Sequence, residues 1–94
     1  MLEDEEKKRL LARLRRIEGQ VGGVIRMVEG DNYCVDVLQQ VAAVQGALAQ
    51  AGKLLVRTHL ETCVADAFER GTAARRERVI AELVDLFAKT SRRS

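Results

Sequence analysis

The sequence predicts an all-α protein, and three features support this prediction. Proline is absent from the 94 residues, and the aromatic residues are limited to one Tyr and two Phe. Ala, Leu, Val, Glu and Arg dominate the chain, as is typical of helical proteins. Apolar residues recur at steps of three and four, which is the period of an amphipathic helix. We therefore expect helices without a sheet, in a single domain that comprises residues 1–94.

The first predicted helix follows the charged start MLEDEE and ends near Gly30. Its apolar stripe consists of Leu10, Leu14, Ile17, Val21, Val24 and Val28. A second stripe lies roughly 90° away and contains Arg9, Arg13, Arg16 and Gln20. Because glycine costs about 1 kcal/mol relative to alanine in a helix, Gly22 and Gly23 predict a kink or a close packing contact. Gly30 is interpreted as the helix stop, with Asp31 or Asn32 as the next N-cap.

The second predicted helix is long and runs from Tyr33 to about Phe68. Gly71 then interrupts the pattern, and Thr72 is available to cap a third, short helix. The apolar face of that helix consists of Val79, Ile80, Leu83, Leu86 and Phe87. The terminal TSRRS is expected to be a frayed tail.

No apolar run approaches the roughly 20 residues that cross a bilayer, and the charged start does not resemble a signal peptide. These features predict a cytoplasmic protein without a membrane helix. Thiols stay reduced in that compartment, so we interpret the two cysteines as ligands or reactive groups rather than as a disulfide. The alternative is that one or both are small buried residues.

The net charge of +2 conceals a basic N-terminal region. Between Lys7 and Arg26 the chain has seven basic residues and one acidic residue, Glu18, which leaves a local excess of +6. Nucleic acid is the obvious polyanionic partner for such a helix. The alternative is a solvated charged face.

The segment HLETC places the only histidine, His59, four residues before Cys63, one of two cysteines. On an α-helix these two positions lie roughly 5 to 6 Å apart at Cβ, so the pair can bind one ion. The pair alone is a weak signal, because helical histidine and cysteine residues often have packing roles. A Cys–His nucleophile pair is formally available, but no orienting third group accompanies it, and we do not expect an enzyme.

The other cysteine, Cys34, lies on the same predicted helix face as this pair. Helical projection groups nine residues in a stripe about 100° wide, namely Cys34, Leu38, Val41, Gln45, Leu48, Gly52, Leu55, His59 and Cys63. An unbroken helix separates Cys34 from His59 by roughly 37 Å, so they cannot share an ion within one chain. Two antiparallel copies bring Cys34 of one chain to His59 and Cys63 of the other. The sequence therefore predicts an isologous dimer with two identical sites.

The donor set indicates which ion these sites bind. Two thiolates and one imidazole are soft ligands suited to Cu(I), which accepts three of them, whereas structural zinc normally has four protein ligands. Cys34 lies in the first turn of its helix, where the helix dipole favours a thiolate.

These motifs resemble a known family. The stretch RLRRIEGQVGGVIRMVEGDNYCVDVLQQVAAVQGAL, followed by HLETC, resembles the copper-sensing repressors of the CsoR/RcnR family, and the resemblance extends from about Arg9 to Phe87. It implies a three-helix protomer, an antiparallel four-helix-bundle dimer and a dimer-of-dimers tetramer. It also implies that the apo protein binds operator DNA and represses copper-export genes, and that Cu(I) at the intersubunit site weakens DNA binding.

The resemblance also implies roles for individual residues. The implied Cu(I) ligands are Cys34, His59 and Cys63, and the implied supporting residues are Tyr33 and Glu82. The segment from Gly71 to Glu82 is about three residues longer than the family pattern, nearly one helical turn, so Glu77 is an alternative to Glu82; either glutamate can also be a solvated surface charge. The residues implicated in operator binding are Arg13, Arg15, Arg16, Gln20 and Lys53. No helix-turn-helix is evident, so phosphate contacts and DNA shape are expected to matter at least as much as base edges.

Three alternative functions remain open at this point. Other family members sense nickel or cobalt, formaldehyde, or persulfides, but nickel sensors have more histidines than this chain. Persulfide response would use the two cysteines without His59, and formaldehyde response is the other choice within the family. A copper-buffering helical protein without DNA binding is the third alternative, and it leaves the basic N-terminal helix unexplained.

Overall fold

A computed structural model describes the backbone of residues 2–91 and the side chains of residues 2–89. It contains four α-helices, α1 (Asp4–Glu29), α2 (Cys34–His59), α3 (Ala65–Arg70) and α4 (Ala73–Ser91), and a π-helical turn (Leu60–Val64) between α2 and α3. No strand occurs within residues 2–91. The all-α prediction is confirmed, and the second predicted helix corresponds to α2, the π turn and α3 together.

The chain divides into two compact units, one of residues 2–58 and one that begins at His59. In the first unit α1 and α2 form an antiparallel hairpin. A cavity of about 210 Å³ is lined by Val21 and Val24 of α1 and by Val41, Val44 and Gln45 of α2. Only Ile17, Ala51 and Thr58 are buried in this unit. A hairpin with so small a core leaves most of its apolar surface uncovered.

Gly22 and Gly23 lie inside α1, which continues through them from Asp4 to Glu29. The two glycines therefore do not interrupt the helix. Within the described part of this chain the predicted close contact is not formed, because a Cβ at either glycine would meet only the flexible end of the Arg26 side chain, at 3.5 and 3.8 Å. The backbone hydrogen bonds of the flanking turns are sufficient to carry the helix through two poor helix formers.

α1 ends where the sequence predicts, but the residue that turns the chain is different. Asp31, not Gly30, adopts the left-handed conformation, with φ of 56°. The Asn32 N–H donates to the Met27 carbonyl at 3.0 Å and the Asp31 N–H donates to the Val28 carbonyl at 3.1 Å, a Schellman arrangement. Aspartate accepts this conformation more readily than most residues with a Cβ.

The start of α2 also differs from the prediction. The helix begins at Cys34, so Tyr33 occupies the position that precedes it, and the Val37 N–H donates to the Tyr33 carbonyl at 3.2 Å. Asp31 and Asn32 are occupied by the end of α1, which excludes them from the N-cap position predicted for them.

The joint between α3 and α4 consists of Gly71 and Thr72. The Thr72 hydroxyl accepts a hydrogen bond from the Arg75 N–H at 3.2 Å, which confirms the predicted cap. The Arg76 guanidinium donates to the Gly71 carbonyl at 3.0 Å. In this unit Ala67 and Val79 form the buried core.

α4 extends to Ser91, so the predicted frayed tail is wrong for residues 90 and 91, which are helical. The rest of that tail, residues 92–94, lies outside the described residues.

Replacement of Gly71 with alanine is expected to destabilise the protein by about 1 to 3 kcal/mol, the usual cost of a steric overlap in a packed region. A Cβ at this position would overlap the carbonyl oxygen of Ala67 and lie 3.1 Å from its carbonyl carbon. Backbone atoms cannot move aside as a flexible side chain can. Urea unfolding followed by circular dichroism measures the change.

The matched control is Gly19→Ala in α1, where no atom lies within 4 Å of the added Cβ. It is expected to stabilise the helix by about 0.5 to 1 kcal/mol. Equal gains in stability for both variants would contradict the steric role of Gly71.

Candidate metal centre

The first predicted ligand, Cys34, is the first residue of α2. Its side chain is exposed and its thiol is free. Tyr33 immediately precedes it and is also exposed. The thiol therefore lies at the N-terminal end of a 26-residue helix, where unpaired backbone N–H groups favour negative charge.

The other two predicted ligands flank the junction between α2 and the π turn. His59 is the last residue of α2, Cys63 lies within the turn, and both are half-buried. The Ala65 N–H donates to the Leu60 carbonyl five residues earlier, the hydrogen bond that defines a π turn. The predicted α-helical spacing between His59 and Cys63 is therefore wrong.

The π turn nevertheless keeps His59 and Cys63 on one side of the helical backbone. A π turn contains more residues than an α turn, so four steps bring Cys63 slightly short of a full turn instead of slightly beyond it. Single π turns within α-helices frequently occur at functional sites. The insertion changes the register of every residue after Cys63 relative to an unbroken α-helix.

The sulfur of Cys63 has a neighbour that the sequence analysis did not identify. The Thr62 hydroxyl donates to Cys63 Sγ at 3.6 Å. Sulfur is a weak hydrogen-bond acceptor, and the contact places the Thr62 hydroxyl beside the predicted ligand atom. The sequence feature that could have predicted this contact is the adjacent Thr-Cys pair in HLETC.

His59 also lines a groove of about 300 Å³ with one side of α4. The α4 residues that line it are Glu82, Leu83, Asp85, Leu86 and Lys89. Lys89 and Asp85 form an ion pair of 3.0 Å. Glu82 thus lines the same groove as the imidazole, whereas Glu77, the alternative from the sequence, is not among the lining residues.

Asp85 and Lys89 were missed by the sequence analysis. Their signal was the helical spacing of positions 82, 85, 86 and 89, which places them on one side of α4.

The three predicted ligands do not form a complete site in one chain. Cys34 and His59 occupy opposite ends of α2, separated by its full length. Among residues 2–91, no three His, Cys, Asp or Glu side chains are grouped so that they can hold a metal ion.

The predicted ligand stripe of α2 has exposed leucines between its ends, whereas Val41 and Gln45 of the same stripe line the cavity together with Val21 and Val24 of α1. Leu38, Leu48 and Leu55 are 64, 49 and 43% exposed. The buried residues of the helix, Ala51 and Thr58, lie outside this stripe. A row of exposed leucines of this kind is typical of protein-contact surfaces.

The predicted DNA-contacting residues are all exposed. Arg13, Arg15, Arg16 and Gln20 lie on α1, and Lys53 lies on α2. Ile17, in the middle of that α1 group, is buried. α1 is therefore buried at Ile17 and presents Arg13, Arg16 and Gln20 to solvent, whereas Leu14, Val21 and Val28 of its apolar stripe are also exposed.

Comparison with known proteins places this chain among metal-responsive regulators. Residues 6–89 match the family described as metal-sensitive transcriptional repressors. The chain is 47% identical over 85 residues to the copper-sensing transcriptional repressor CsoR of Bacillus subtilis, which covers 90% of this chain and 81% of that protein. It is 40% identical over 80 residues to CsoR of Mycobacterium tuberculosis, which covers 85% of this chain and 65% of that protein.

Solved structures show the same fold. The copper-sensing repressor CsoR with Cu(I) from Geobacillus thermodenitrificans has a TM-score of 0.82 and 41% identity, over 94% of this chain and 92% of that one. A variant of the formaldehyde-responsive regulator FrmR from Salmonella enterica serovar Typhimurium has a TM-score of 0.79 and 36% identity, over 95 and 98% of the two chains. The nickel-responsive regulator InrS has a TM-score of 0.73 and 38% identity, over 85 and 90%.

Proposed function

The chain belongs to the metal-sensitive transcriptional repressor family, and we propose that it is a Cu(I)-responsive repressor whose apo form binds operator DNA. Cys34 of one protomer and His59 and Cys63 of another bind Cu(I) together, and DNA is then released, so that copper-resistance genes are expressed. The observation that carries the proposal is the division of three soft donors between the two ends of a helix that has exposed leucines between them.

The donor set suits Cu(I). Both thiols are free, Cys34 is exposed, and the Thr62 hydroxyl lies 3.6 Å from Cys63 Sγ. Soft thiolates with one imidazole favour Cu(I) over harder ions, and the single histidine is a poor basis for a nickel site. Bound Cu(I) would connect Cys34 of one chain to His59 and Cys63 of the other.

A homo-oligomer follows from the same surface. Antiparallel association of two α2 helices covers the exposed leucines and places a site at each end, and four helices, two from each chain, form the bundle. We propose a dimer of such dimers as the larger assembly. Because Cys34 belongs to one compact unit and His59 and Cys63 to the other, residues 1–94 act as one functional domain.

The basic ridge of α1, with Lys53 of α2, is the proposed operator-binding surface. Its residues are exposed and carry the local excess of positive charge. Contacts of this kind bind phosphates and read DNA shape, so affinity is expected to fall steeply with salt concentration.

Metal and DNA are coupled because both act on the arrangement of protomers. Recruitment of donors from two chains favours one relative placement, and a preference of about 1 to 3 kcal/mol for a placement that binds DNA poorly is sufficient for a switch. The protein is a regulator without catalytic activity in this proposal. It works in the cytoplasm, where its thiols stay reduced; no helix within residues 2–91 has the length and apolarity to span a membrane.

A second candidate function is response to an aldehyde or a persulfide. The similarity to the formaldehyde-responsive FrmR supports it, since that structure shares the fold. Accessible Cys34 can react with such electrophiles, and a partner's Cys63 can take part in thiol exchange. Retention of His59 beside Cys63 favours copper.

Anaerobic titration of the reduced protein with Cu(I), while binding to DNA from its own upstream region is followed, tests the proposal. One Cu(I) per protomer with release of DNA is expected. Tight copper binding without any DNA binding would instead indicate a copper buffer. Absence of a tight copper site would favour aldehyde or persulfide chemistry.

Glu82→Gln is expected to weaken the effect of Cu(I) on DNA binding by about 10- to 100-fold, the usual effect of removing a partner of a ligating histidine. Glu82 lines the groove beside His59, so its carboxylate can orient the imidazole. The control is Glu77→Gln on the same helix, which is expected to have no effect. Both variants are compared by the ratio of DNA dissociation constants with and without Cu(I).

A further inference from the structure

The strongest feature outside the ligand set is an ion pair that crosses the joint between α3 and α4. Arg75 Nη1 donates to Asp66 Oδ2 at 3.0 Å, and the two residues are nine positions apart. Their side chains are 38 and 42% exposed, so the pair is partly shielded from solvent. Arg70, within α3, lies 3.7 Å from the other oxygen of the same carboxylate and is 81% exposed.

The position of this pair relates it to the candidate metal centre. Asp66 follows Cys63 by three residues, at the beginning of α3. Arg75 is in the first turn of α4, the helix whose later turns carry Glu82, Asp85 and Lys89 to the groove beside His59. The pair therefore links the segment that follows Cys63 to α4, the helix that lines the groove beside His59.

Local contacts at Gly71 and Thr72 also hold the beginning of α4. The Thr72 cap and the Arg76 bond to the Gly71 carbonyl fix the first turn of α4 locally. The Gly71 backbone is packed against Ala67. The Asp66–Arg75 ion pair adds a side-chain link between α3 and α4 across this joint.

We propose that Asp66 and Arg75 are positioning residues that hold α4 against the ligand-bearing turn and so set the strength with which Cu(I) occupancy controls DNA binding. This inference rests on the proposed function. When the pair is intact, a displacement of Cys63 or His59 on metal binding moves α4 as well. When the pair is broken, α4 does not follow this displacement. The ligands then bind copper without moving α4.

The test compares Asp66→Asn and Arg75→Gln with Arg70→Gln as the matched control. Arg70→Gln removes a positive charge from the same carboxylate but leaves the link across the joint. The measured quantity is the ratio of DNA dissociation constants with and without Cu(I), in which changes in basal DNA affinity cancel. We expect Asp66→Asn and Arg75→Gln to lower this ratio by about two- to fivefold, the range for an ion pair of this exposure, and Arg70→Gln to leave it unchanged.

A charge exchange distinguishes positioning from loss of stability. Asp66→Arg combined with Arg75→Asp restores the pair in reverse, and Arg70→Gln is included because a like charge would otherwise face position 66. This triple variant is expected to regain the wild-type ratio. Amide hydrogen exchange provides a second readout that requires no DNA, since exchange of the first turns of α4 should quicken in Arg75→Gln and not in Arg70→Gln.

The outcomes separate this inference from the proposed function. A wild-type protein that responds to Cu(I), with equal ratios in the Asp66, Arg75 and Arg70 variants, would overturn the inference and leave the function intact. A wild-type protein without any response to Cu(I) would overturn both.

Discussion

Mixed dimers of a Cys34→Ala chain and a chain with both His59→Ala and Cys63→Ala are expected to bind one Cu(I) tightly, whereas neither variant alone binds any. In an antiparallel pair one end loses all three donors and the other end keeps Cys34 from one chain and the His–Cys pair from the other. Loss of a residue that supports a ligand lowers metal affinity by up to about 100-fold. Loss of a direct ligand should lower Cu(I) affinity by more than that.

Differently tagged variants allow the mixed dimer to be isolated and compared with both parents in an anaerobic competition against a Cu(I) chelator. The mixed dimer is prepared by mixing equal amounts of the two variant chains. A tight site in the Cys34→Ala homodimer would show that Cys34 is not a ligand. Failure of the mixed dimer to recover a site, with normal dimerisation, would contradict the intersubunit arrangement.

Arg13→Ala combined with Arg16→Ala is expected to abolish detectable operator binding and to leave Cu(I) binding unchanged. Both side chains are exposed on the basic ridge of α1, away from every candidate ligand in the sequence. Each phosphate contact contributes about 0.9 to the slope of log affinity against log salt. A homo-oligomer loses two such charges per protomer, so the effect multiplies with the number of protomers on the DNA.

The matched control is Arg26→Ala on the same helix. Arg26 is exposed as well; helical geometry places it about 140° from Arg13 and about 80° from Arg16, near Arg15 and off the stripe that Arg13 and Arg16 share. It should reduce affinity only slightly and keep the salt slope. Equal losses for Arg26→Ala and the double variant would show that net charge, and not the ridge, governs DNA binding.

Several features of the fold were predictable because they depend on local sequence. The apolar period along α1 and α2, the stop after Glu29 and the Thr72 cap are each determined by a few neighbouring residues. Helical spacing also placed Cys34 and His59 on the helix face that has the exposed leucines. α1 continues through Gly22 and Gly23 because hydrogen bonding along a long helix outweighs the low helix propensity of two glycines.

The features that sequence patterns missed depend on register and on contacts between elements. A π turn inserts a single residue, which apolar periodicity cannot detect, although it alters the spacing between His59 and Cys63. The roles of Asp66 and Arg75 depend on a joint that brings residues nine positions apart to 3.0 Å.

The sequence by itself determined the helical class and predicted the basic ridge and the soft donors, because side-chain chemistry and helical period are properties of residues close together in the chain. Only the tertiary structure decided which α4 glutamate shares a groove with His59 and which ion pair joins α3 to α4. Those outcomes depend on how α3 and α4 are arranged around Gly71, where the N–H donates to the Ala67 carbonyl and no room is left for a Cβ, and apolar periodicity does not record that arrangement.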